Sequence, residues 1–107
     1  MGLSVAVHID PDDKKVPVCV RDEYIIYIER VGLANWMHAD VIKWTPAIFK
    51  KFDKDLDTIF EMHGGPMFIM INKENKKLQK FGKMFSFWPY KEVQCYDGIT
   101  RLAFRRA

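Results

Sequence analysis

The stretch Trp44–Phe87 constrains the fold of this chain more than any other. Apolar residues recur at helical spacing as far as His63, and the chain then turns at Gly64-Gly65-Pro66. A short apolar run, Met67–Ile71, precedes a Lys-rich helical pattern over Asn72–Phe85. Because the apolar run does not alternate with polar residues, it indicates a strand covered on both faces. The stretch predicts a helix, a buried strand and a second helix that together form the core.

The first helix of this stretch carries start and stop signals. Thr45 is a suitable N-cap, and Pro46 fits the first helical position, where a missing N–H costs nothing. Gly64 fits the position just past the end, where a positive φ is often needed. The predicted inward face carries Phe49, Phe52, Leu56, Ile59, Phe60 and His63. The predicted solvent face carries Lys50, Lys51, Lys54, Asp55, Asp57 and Glu61.

The second predicted helix is strongly amphipathic. Its predicted inward residues are Leu78, Phe81 and Phe85. Its other side carries Lys73, Lys76, Lys77, Lys80 and Lys83. Like charges at this spacing repel by a few tenths of a kcal/mol per pair, so the row is compatible with a solvated face. It is also compatible with an acidic partner, although we favour the solvated face.

Strands are predicted on both sides of the helical stretch. Alternation and β-branched residues indicate an antiparallel meander over Leu3–Ile9, Val16–Val20, Tyr24–Ile28 and Leu33–Lys43. After the helices, Val93–Tyr96 and Ile99–Arg105 predict a hairpin around Asp97-Gly98, a pair that suits a type I′ turn. The strand between the helices is expected to pair in parallel with the strand before the first helix, and the splay of that pair would make a cleft.

Composition limits the classes of protein that this chain can belong to. A chain of 107 residues suits a single domain over 1–107, and 49% hydrophobic residues argue against disorder. No apolar run approaches the ~20 residues that span a bilayer, and no secretory signal is present, so we expect a cytoplasmic protein without membrane contact. Cys19 and Cys95 are far apart within apolar runs, which favours two free buried thiols over a disulfide.

The order of elements resembles the later two-thirds of the GNAT N-acetyltransferase fold. Members of that family often carry an Asn early in the last helix, a Tyr seven residues on, and a Gly-Phe pair after the helix. Here Asn75 matches the Asn, whereas Gly82 stands at the Tyr position and Ser86-Phe87 at the Gly-Phe pair. The resemblance implies an α+β, GNAT-like fold: a twisted, mostly antiparallel sheet of about six or seven strands with two main helices.

The segment Ala47–Arg105 is similar, more narrowly, to a family of small phage proteins on a degenerate GNAT fold. Some members of that family are described as head assembly proteins of lambdoid short-tailed phages. The residues that carry the similarity are Pro46–Phe52, His63–Pro66 and Lys83–Phe87. The resemblance implies a bacteriophage protein in the virion or the host cytoplasm, which works through contacts with a virion or host protein.

Two departures from the GNAT pattern argue against acetyl transfer. A working enzyme binds the coenzyme A pyrophosphate with backbone N–H groups of a Gly-rich loop at a helix N-terminus. The corresponding junction here, Ile42–Ala47, has no glycine, and Pro46 lacks an N–H. The stretch Asp10–Lys15 is also too short for the two helices that commonly wall the acceptor site. We therefore expect a pseudoenzyme with no cofactor.

The alternative is an acetyl-CoA-dependent N-acetyltransferase. In that case Glu29, Asp40 or His38 would supply the general base, and Tyr90 or Tyr96 would replace the missing Tyr as the acid. The resemblance would place coenzyme A between the strands Leu33–Lys43 and Met67–Ile71. Its contacts would come from Trp44, Ala47, Ile48 and Asn75. The competing interpretation is that the carboxylates are solvent-facing strand ends and that the tyrosines are packing residues.

Other kinds of site have weaker support. The histidines and cysteines lack paired metal-ligand spacing, so no metal site is predicted. A nucleic-acid-binding module could use the lysine row, but Phe81 and Phe85 have core spacing rather than the exposure that base stacking needs. Trp36, Trp44 and Trp88 could be core residues or binding hot spots. Exposure of both Trp44 and Trp88 would favour a protein interface.

Overall fold

The computed structural model of the chain describes residues 15–107. The predicted strand Leu3–Ile9 lies outside the described residues. Eight elements follow in the order of three strands, a helix, a strand, a helix and two strands. The chain divides into two compact units, and the break falls between Gly65 and Pro66. The single domain over 1–107 stays a prediction.

The first unit is a three-stranded antiparallel meander followed by a long helix. Its elements are β1 (Lys15–Val20), β2 (Tyr24–Val31), β3 (Ala34–Val41) and α1 (Pro46–His63). Strand β2 lies between β1 and β3, and the β1–β2 pairing is interrupted by a register shift between Pro17 and Cys19. The meander was predicted. Strand β3 starts at Ala34 because Gly32, with φ of 61°, and the exposed Leu33 make the preceding turn.

Helix α1 begins and ends where its signals predict. The Thr45 hydroxyl accepts a hydrogen bond from the Ile48 N–H at 3.2 Å, and Gly64 adopts the left-handed conformation with φ of 64°. The buried side chains of the helix are Ile48, Phe52, Leu56 and Ile59. The predicted inward face is thus only partly right: Ile48 was missed, His63 is exposed, and Phe49 and Phe60 are half-buried.

The second unit holds three antiparallel strands and a short helix. Its elements are β4 (Met67–Asn72), α2 (Lys76–Met84), β5 (Trp88–Gln94) and β6 (Thr100–Arg106). Strand β6 pairs with both β4 and β5. The prediction that β4 is covered on both faces is wrong at Met70, which is 38% exposed. Strand β5 starts five residues earlier than predicted because Pro89 is accommodated at a register shift between Pro89 and Lys91.

Helix α2 is shorter than the predicted Asn72–Phe85. It starts at Lys76 because the Asn75 side chain accepts a hydrogen bond from the Leu78 N–H at 3.0 Å and so acts as the N-cap. The predicted inward face also needs correction. Leu78 is 42% exposed, and the only buried residue of the helix is Gly82.

The close approach at Gly82 explains why the helix needs no large buried side chain. A Cβ added to Gly82 would lie 3.1 Å from the Ile69 Cδ1 and 3.6 Å from the Ile71 Cδ1. The backbone of α2 therefore packs directly against these two side chains of β4. The side chains of Phe85 and Phe87, just beyond the helix, are buried instead.

The end of α2 is a hydrogen-bonded Schellman motif. The Phe87 N–H donates to the Gly82 carbonyl at 3.0 Å, and the Ser86 N–H donates to the Lys83 carbonyl at 3.1 Å. Ser86 has a φ of 67° and is the only described residue other than glycine with a positive φ. A Gly at this position would adopt that conformation without the penalty that a Cβ brings.

The loop between β5 and β6 differs from the predicted two-residue type I′ turn. The Gly98 N–H donates to the Cys95 carbonyl at 3.0 Å, and the Cys95 N–H donates to the Ile99 carbonyl at 3.2 Å. Gly98 has a φ of 79°, but Asp97 does not have the positive φ that a type I′ turn requires there. The connection is a three-residue loop in which a β-turn is followed by a left-handed Gly98.

The predicted fold class is confirmed. The described chain is α+β with six strands and two main helices, and the pairings within each unit are antiparallel. The two cysteines are free and half-buried rather than fully buried. Neither helix is long and apolar enough to cross a bilayer.

Candidate functional site

One face of the first unit's sheet carries a row of polar side chains. Paired residues of antiparallel strands point to the same side, and the pairs Tyr27–His38 and Glu29–Trp36 follow each other along β2 and β3. Tyr24 and Ile28 lie on the alternate positions of β2, and the Tyr24 ring meets the Phe52 ring of α1 at 5.0 Å. The polar row therefore lies on the sheet face opposite the helix.

Two of the predicted catalytic side chains, Glu29 and His38, form a pair in this row. The His38 Nε2 is 2.9 Å from the Glu29 Oε1, and both side chains are about one-third exposed or less. A carboxylate that accepts from one ring nitrogen fixes the orientation of an imidazole and leaves the other nitrogen to exchange a proton. The arrangement can act as a general base, and sequence reasoning had named both residues without pairing them.

The third residue predicted as a base, Asp40, lies on the same face but does not join that pair. Asp40 is exposed, and its Oδ2 accepts a hydrogen bond from the Tyr27 hydroxyl at 3.0 Å. The two hydrogen-bonded pairs are neighbours in the row, since Tyr27 stands opposite His38 in the strand register. Sequence reasoning had not singled out Tyr27.

The N-terminus of α1, the predicted pyrophosphate site, offers few hydrogen-bond donors. Pro46 has no N–H, and the Ile48 N–H is already bound by the Thr45 hydroxyl. Ala47 keeps the one N–H of the first helical turn without an intrahelical partner. The ring of Trp44 packs at 5.6 Å from the Phe52 ring. This turn fits a coenzyme A pyrophosphate less well than a glycine-rich loop does.

The predicted site residues of the second unit lie in different places. The Asn75 oxygen is engaged as the cap of α2. Tyr90 lies on β5, with its ring 5.7 Å from the Phe68 ring. Tyr96, the other candidate acid, is fully exposed in the β5–β6 loop. Gly82, at the position of the family's Tyr, has no room for a side chain of that size.

The lysine row is exposed and has few aromatic neighbours. All five of its lysines are exposed, and the Lys73 ammonium lies 3.3 Å from the Glu92 carboxylate. Phe81 and Phe85 stack edge to face at 4.9 Å, and Phe85 is buried. Phe85 is therefore not available for base stacking, whereas the half-buried Phe81 keeps part of its ring at the surface.

Sequence reasoning missed a polar cluster around Asp55, which was predicted to face solvent. The Arg21 guanidinium donates to both carboxylate oxygens of Asp55, at 3.0 and 2.9 Å. The buried Tyr24 hydroxyl donates a short hydrogen bond to the same carboxylate, and the Cys19 thiol donates at 3.4 Å. The Asp55 side chain is only 14% exposed. The cluster joins α1 to the β1–β2 hairpin.

The cluster shifts the pKa values of its members. Burial by itself would raise the pKa of Asp55, but the hydrogen bonds from Arg21, Tyr24 and Cys19 outweigh burial and lower it. Burial, followed by the hydrogen bond to Asp55, raises the pKa of Tyr24 and that of the Cys19 thiol. A thiol with a raised pKa is a poor nucleophile, so the cluster is a structural clamp rather than a reactive site.

Metal binding finds no support in the described part of the chain. Within residues 15–107, no three His, Cys, Asp or Glu side chains are grouped as ligands. The Glu29–His38 pair supplies only two potential ligands, and the cysteines do not join it.

Comparison with solved structures shows the fold. The chain is similar to a structure described as "Putative GnaT-family acetyltransferase from Bordetella pertussis", with a TM-score of 0.63 and 16% identity. The match covers 85% of this chain and 61% of that protein. At this identity the likeness establishes a GNAT-like fold and nothing about activity. No family model and no curated protein matches the sequence.

Proposed function

We propose that this chain is a GNAT-fold phage protein without acetyltransferase activity that acts through protein contacts in virion or head assembly. Its place would be the host cytoplasm or the virion. The phage assignment rests on the similarity of Pro46–Phe52, His63–Pro66 and Lys83–Phe87 to the small phage family. The proposal of protein contacts rests on one surface of the second unit.

That aromatic surface consists of Phe68, Trp88, Tyr90 and Arg105. Arg105 is paired in register with Phe68 on β4 and with Trp88 on β5, so the three side chains share one sheet face. The Arg105 guanidinium carbon lies 5.6 Å from the centre of the Tyr90 ring. Helix α2 packs on the opposite face, against Ile69 and Ile71.

The exposure of this surface is the observation that carries the proposal. Trp88 is 56% exposed and Tyr90 is 54% exposed, although both are large rings that a chain of this size would gain from burying. Trp, Tyr and Arg are the residue types enriched at binding hot spots. Trp44 is also exposed, at 38%, which meets the condition that favours a protein interface.

The absence of acetyl transfer is supported by the first turn of α1. Pro46 and the capped Ile48 leave that turn with little capacity to bind a pyrophosphate. Calorimetric titration with acetyl-CoA and with free coenzyme A tests this part of the proposal. We expect no heat of binding at millimolar ligand, whereas micromolar affinity would overturn the pseudoenzyme interpretation.

Site-specific photo-crosslinking tests the partner. A photoreactive amino acid at Trp88 in phage-producing cells is expected to crosslink to a virion or head assembly protein. The same amino acid at Lys50, an exposed position on α1, is the matched control. The Tyr90→Ala variant should weaken the Trp88 crosslink. Equal crosslinking from both positions, or none from Trp88, would contradict the proposed interface.

An acetyl-CoA-dependent N-acetyltransferase is the second candidate, and the Glu29–His38 pair is the observation that favours it. In that case His38, oriented by Glu29 at 2.9 Å, would accept a proton from the acceptor amine. Asp40 would lie beside that pair, and Tyr90 would serve as the acid. Micromolar acetyl-CoA binding that depends on Trp44, Ala47, Ile48 and Asn75 would support this candidate.

A nucleic-acid-binding module is the weaker alternative. Only the exposed lysine row favours it. Binding to single-stranded nucleic acid that falls steeply with added salt would support it.

A further inference from the structure

The first unit contains a cavity of about 380 Å³ on the helix-facing side of its sheet. Its walls come from β1, β2, β3 and the last residue of α1. The lining residues are Val16, Val18, Ile28, Arg30, Asn35 and His63. Its size falls within the usual range for small-molecule sites, ~300–1,000 Å³. None of these residues belongs to the aromatic surface or to the polar row.

One side of the cavity is apolar. Val16 is paired with Ile28 in the strand register, so both side chains lie on the sheet face that carries the cavity. Val18 follows at the register shift of β1. Val16 is 56% exposed and Val18 is 39% exposed, so the valines leave apolar surface in contact with water. A ligand with a short apolar body would cover that surface.

Three polar groups converge on the other side. Asn35 is paired with Arg30 in the strand register, so these two side chains share the cavity face. The Arg30 Nε donates to the Gly32 carbonyl at 3.3 Å, which leaves its terminal nitrogens for another acceptor. The His63 Nδ1 donates to the Ile59 carbonyl at 2.9 Å, which leaves Nε2.

Asn35 contributes an amide to the polar side of the cavity. It is 7% exposed and is the buried polar residue of the described core. An amide that lines the cavity can exchange its hydrogen bonds with water for hydrogen bonds with a ligand.

We propose that this cavity binds a small organic carboxylate with a short apolar body. Arg30 makes no ion pair with any described residue, and a guanidinium is the side chain best suited to grip a carboxylate. The Asn35 amide nitrogen would donate to the same carboxylate, and the apolar body would lie on Val16, Val18 and Ile28. The site is separate from the proposed protein interface, and neither depends on the other.

Titration of the ¹⁵N-labelled full chain with sodium hexanoate, followed by amide chemical shifts, tests the proposal. Saturable shifts at the amides of Val16, Ile28 and Asn35 are expected at millimolar ligand. Hexan-1-ol has the same apolar body without the charge and is the matched control ligand. Equal shifts from the alcohol, or hexanoate shifts spread over the surface without saturation, would overturn the proposal.

Two variants separate binding from folding. Arg30→Gln should weaken hexanoate binding by roughly tenfold or more, because a charge-assisted hydrogen bond is lost. Lys50→Gln removes the same charge outside the cavity and should bind as the parent does. Asn35→Leu should abolish saturable binding while the midpoint of thermal unfolding stays level, because the amide lines the cavity. A fall in that midpoint with binding retained would show that Asn35 is a packing residue, and the site would be rejected.

Discussion

Helices α1 and α2 begin in the same way and are held to their sheets in different ways. Thr45 and Asn75 each accept a hydrogen bond from the third helical N–H, at 3.2 and 3.0 Å. Helix α1 then buries four apolar side chains over 18 residues, whereas α2 buries only Gly82 over nine. Capping therefore depends only on residues near the end of a helix. The way a helix is anchored depends on the residues of the sheet against which it packs.

The two helices also end with the same backbone conformation and different residues. Gly64 after α1 has a φ of 64°, and Ser86 after α2 has a φ of 67°. Glycine adopts this conformation freely, whereas a residue with a Cβ pays for it. At Ser86 the residue type is therefore poorly matched to its backbone conformation.

Removing the anchor of α1 should produce the largest loss of stability. Phe52 is fully buried and packs against the rings of Tyr24 and Trp44. Phe52→Ala should lower the free energy of unfolding by about 3–5 kcal/mol, measured by urea denaturation. Leu78→Ala on the exposed part of α2 is the control and should cost much less. Equal losses would show that α2 is anchored by its side chains after all.

The Asp55 cluster should give the next largest effect. Asp55→Ala leaves the buried Tyr24 hydroxyl without its acceptor and should cost about 1–3 kcal/mol. Because the pKa of Asp55 is lower in the folded chain, its contribution is present above the unfolded value of ~3.9 and is lost as pH falls through the folded value. As the pH is lowered, the free energy of unfolding should therefore fall less in Asp55→Ala than in Asp53→Ala.

Substitution at Gly82 tests whether backbone contact anchors α2. Gly82→Leu should lower the free energy of unfolding by about 1–3 kcal/mol, because the new side chain would collide with Ile69 and Ile71. Gly82→Ala is the matched variant. It gains helix propensity and needs only a small shift of the Ile69 side chain, so its net change should be close to zero. A stable Gly82→Leu protein would refute the close approach.

The ends of the two helices should give the smallest and opposite effects. Ser86→Gly should raise the free energy of unfolding by about 1 kcal/mol, because it removes the penalty of a Cβ at positive φ. Gly64→Ser should lower it by about the same amount. Both changes are measurable by urea denaturation of the full chain. Effects of the same sign at the two positions would contradict the interpretation.

The sequence predictions are accurate where the signal acts between residues close together in the chain, and they fail where the interacting residues are far apart in the chain. Thr45, Pro46 and Gly64 mark the ends of α1 correctly because caps depend on residues within one turn. The solvent-facing prediction for Asp55 failed because its partners Arg21 and Tyr24 lie more than 30 positions away. Helical periodicity placed Asp55 on the polar face of α1. Nothing in the sequence of the helix indicates that the β1–β2 hairpin covers this residue.

The candidate site shows the same division. The sequence named Glu29, His38 and Asp40 as candidate bases. Only the strand register shows that His38 pairs with Glu29 and that Asp40 instead accepts a hydrogen bond from Tyr27. It named Asn75 through a family resemblance, whereas the structure gives that side chain a role as a cap. The cavity around Asn35 was missed entirely, because a single Asn in an otherwise ordinary strand carries no signal of burial.

By itself the sequence determined the order of the elements, the ends of α1 and the α+β class, because periodicity and caps are written over a few neighbouring residues. Tertiary structure decided which polar side chains face each other and which are buried. It set the Glu29–His38 pair, the clamp on Asp55 and the burial of Asn35. These depend on strand register and on the face to which a helix docks, and both are fixed by contacts between residues far apart in the chain.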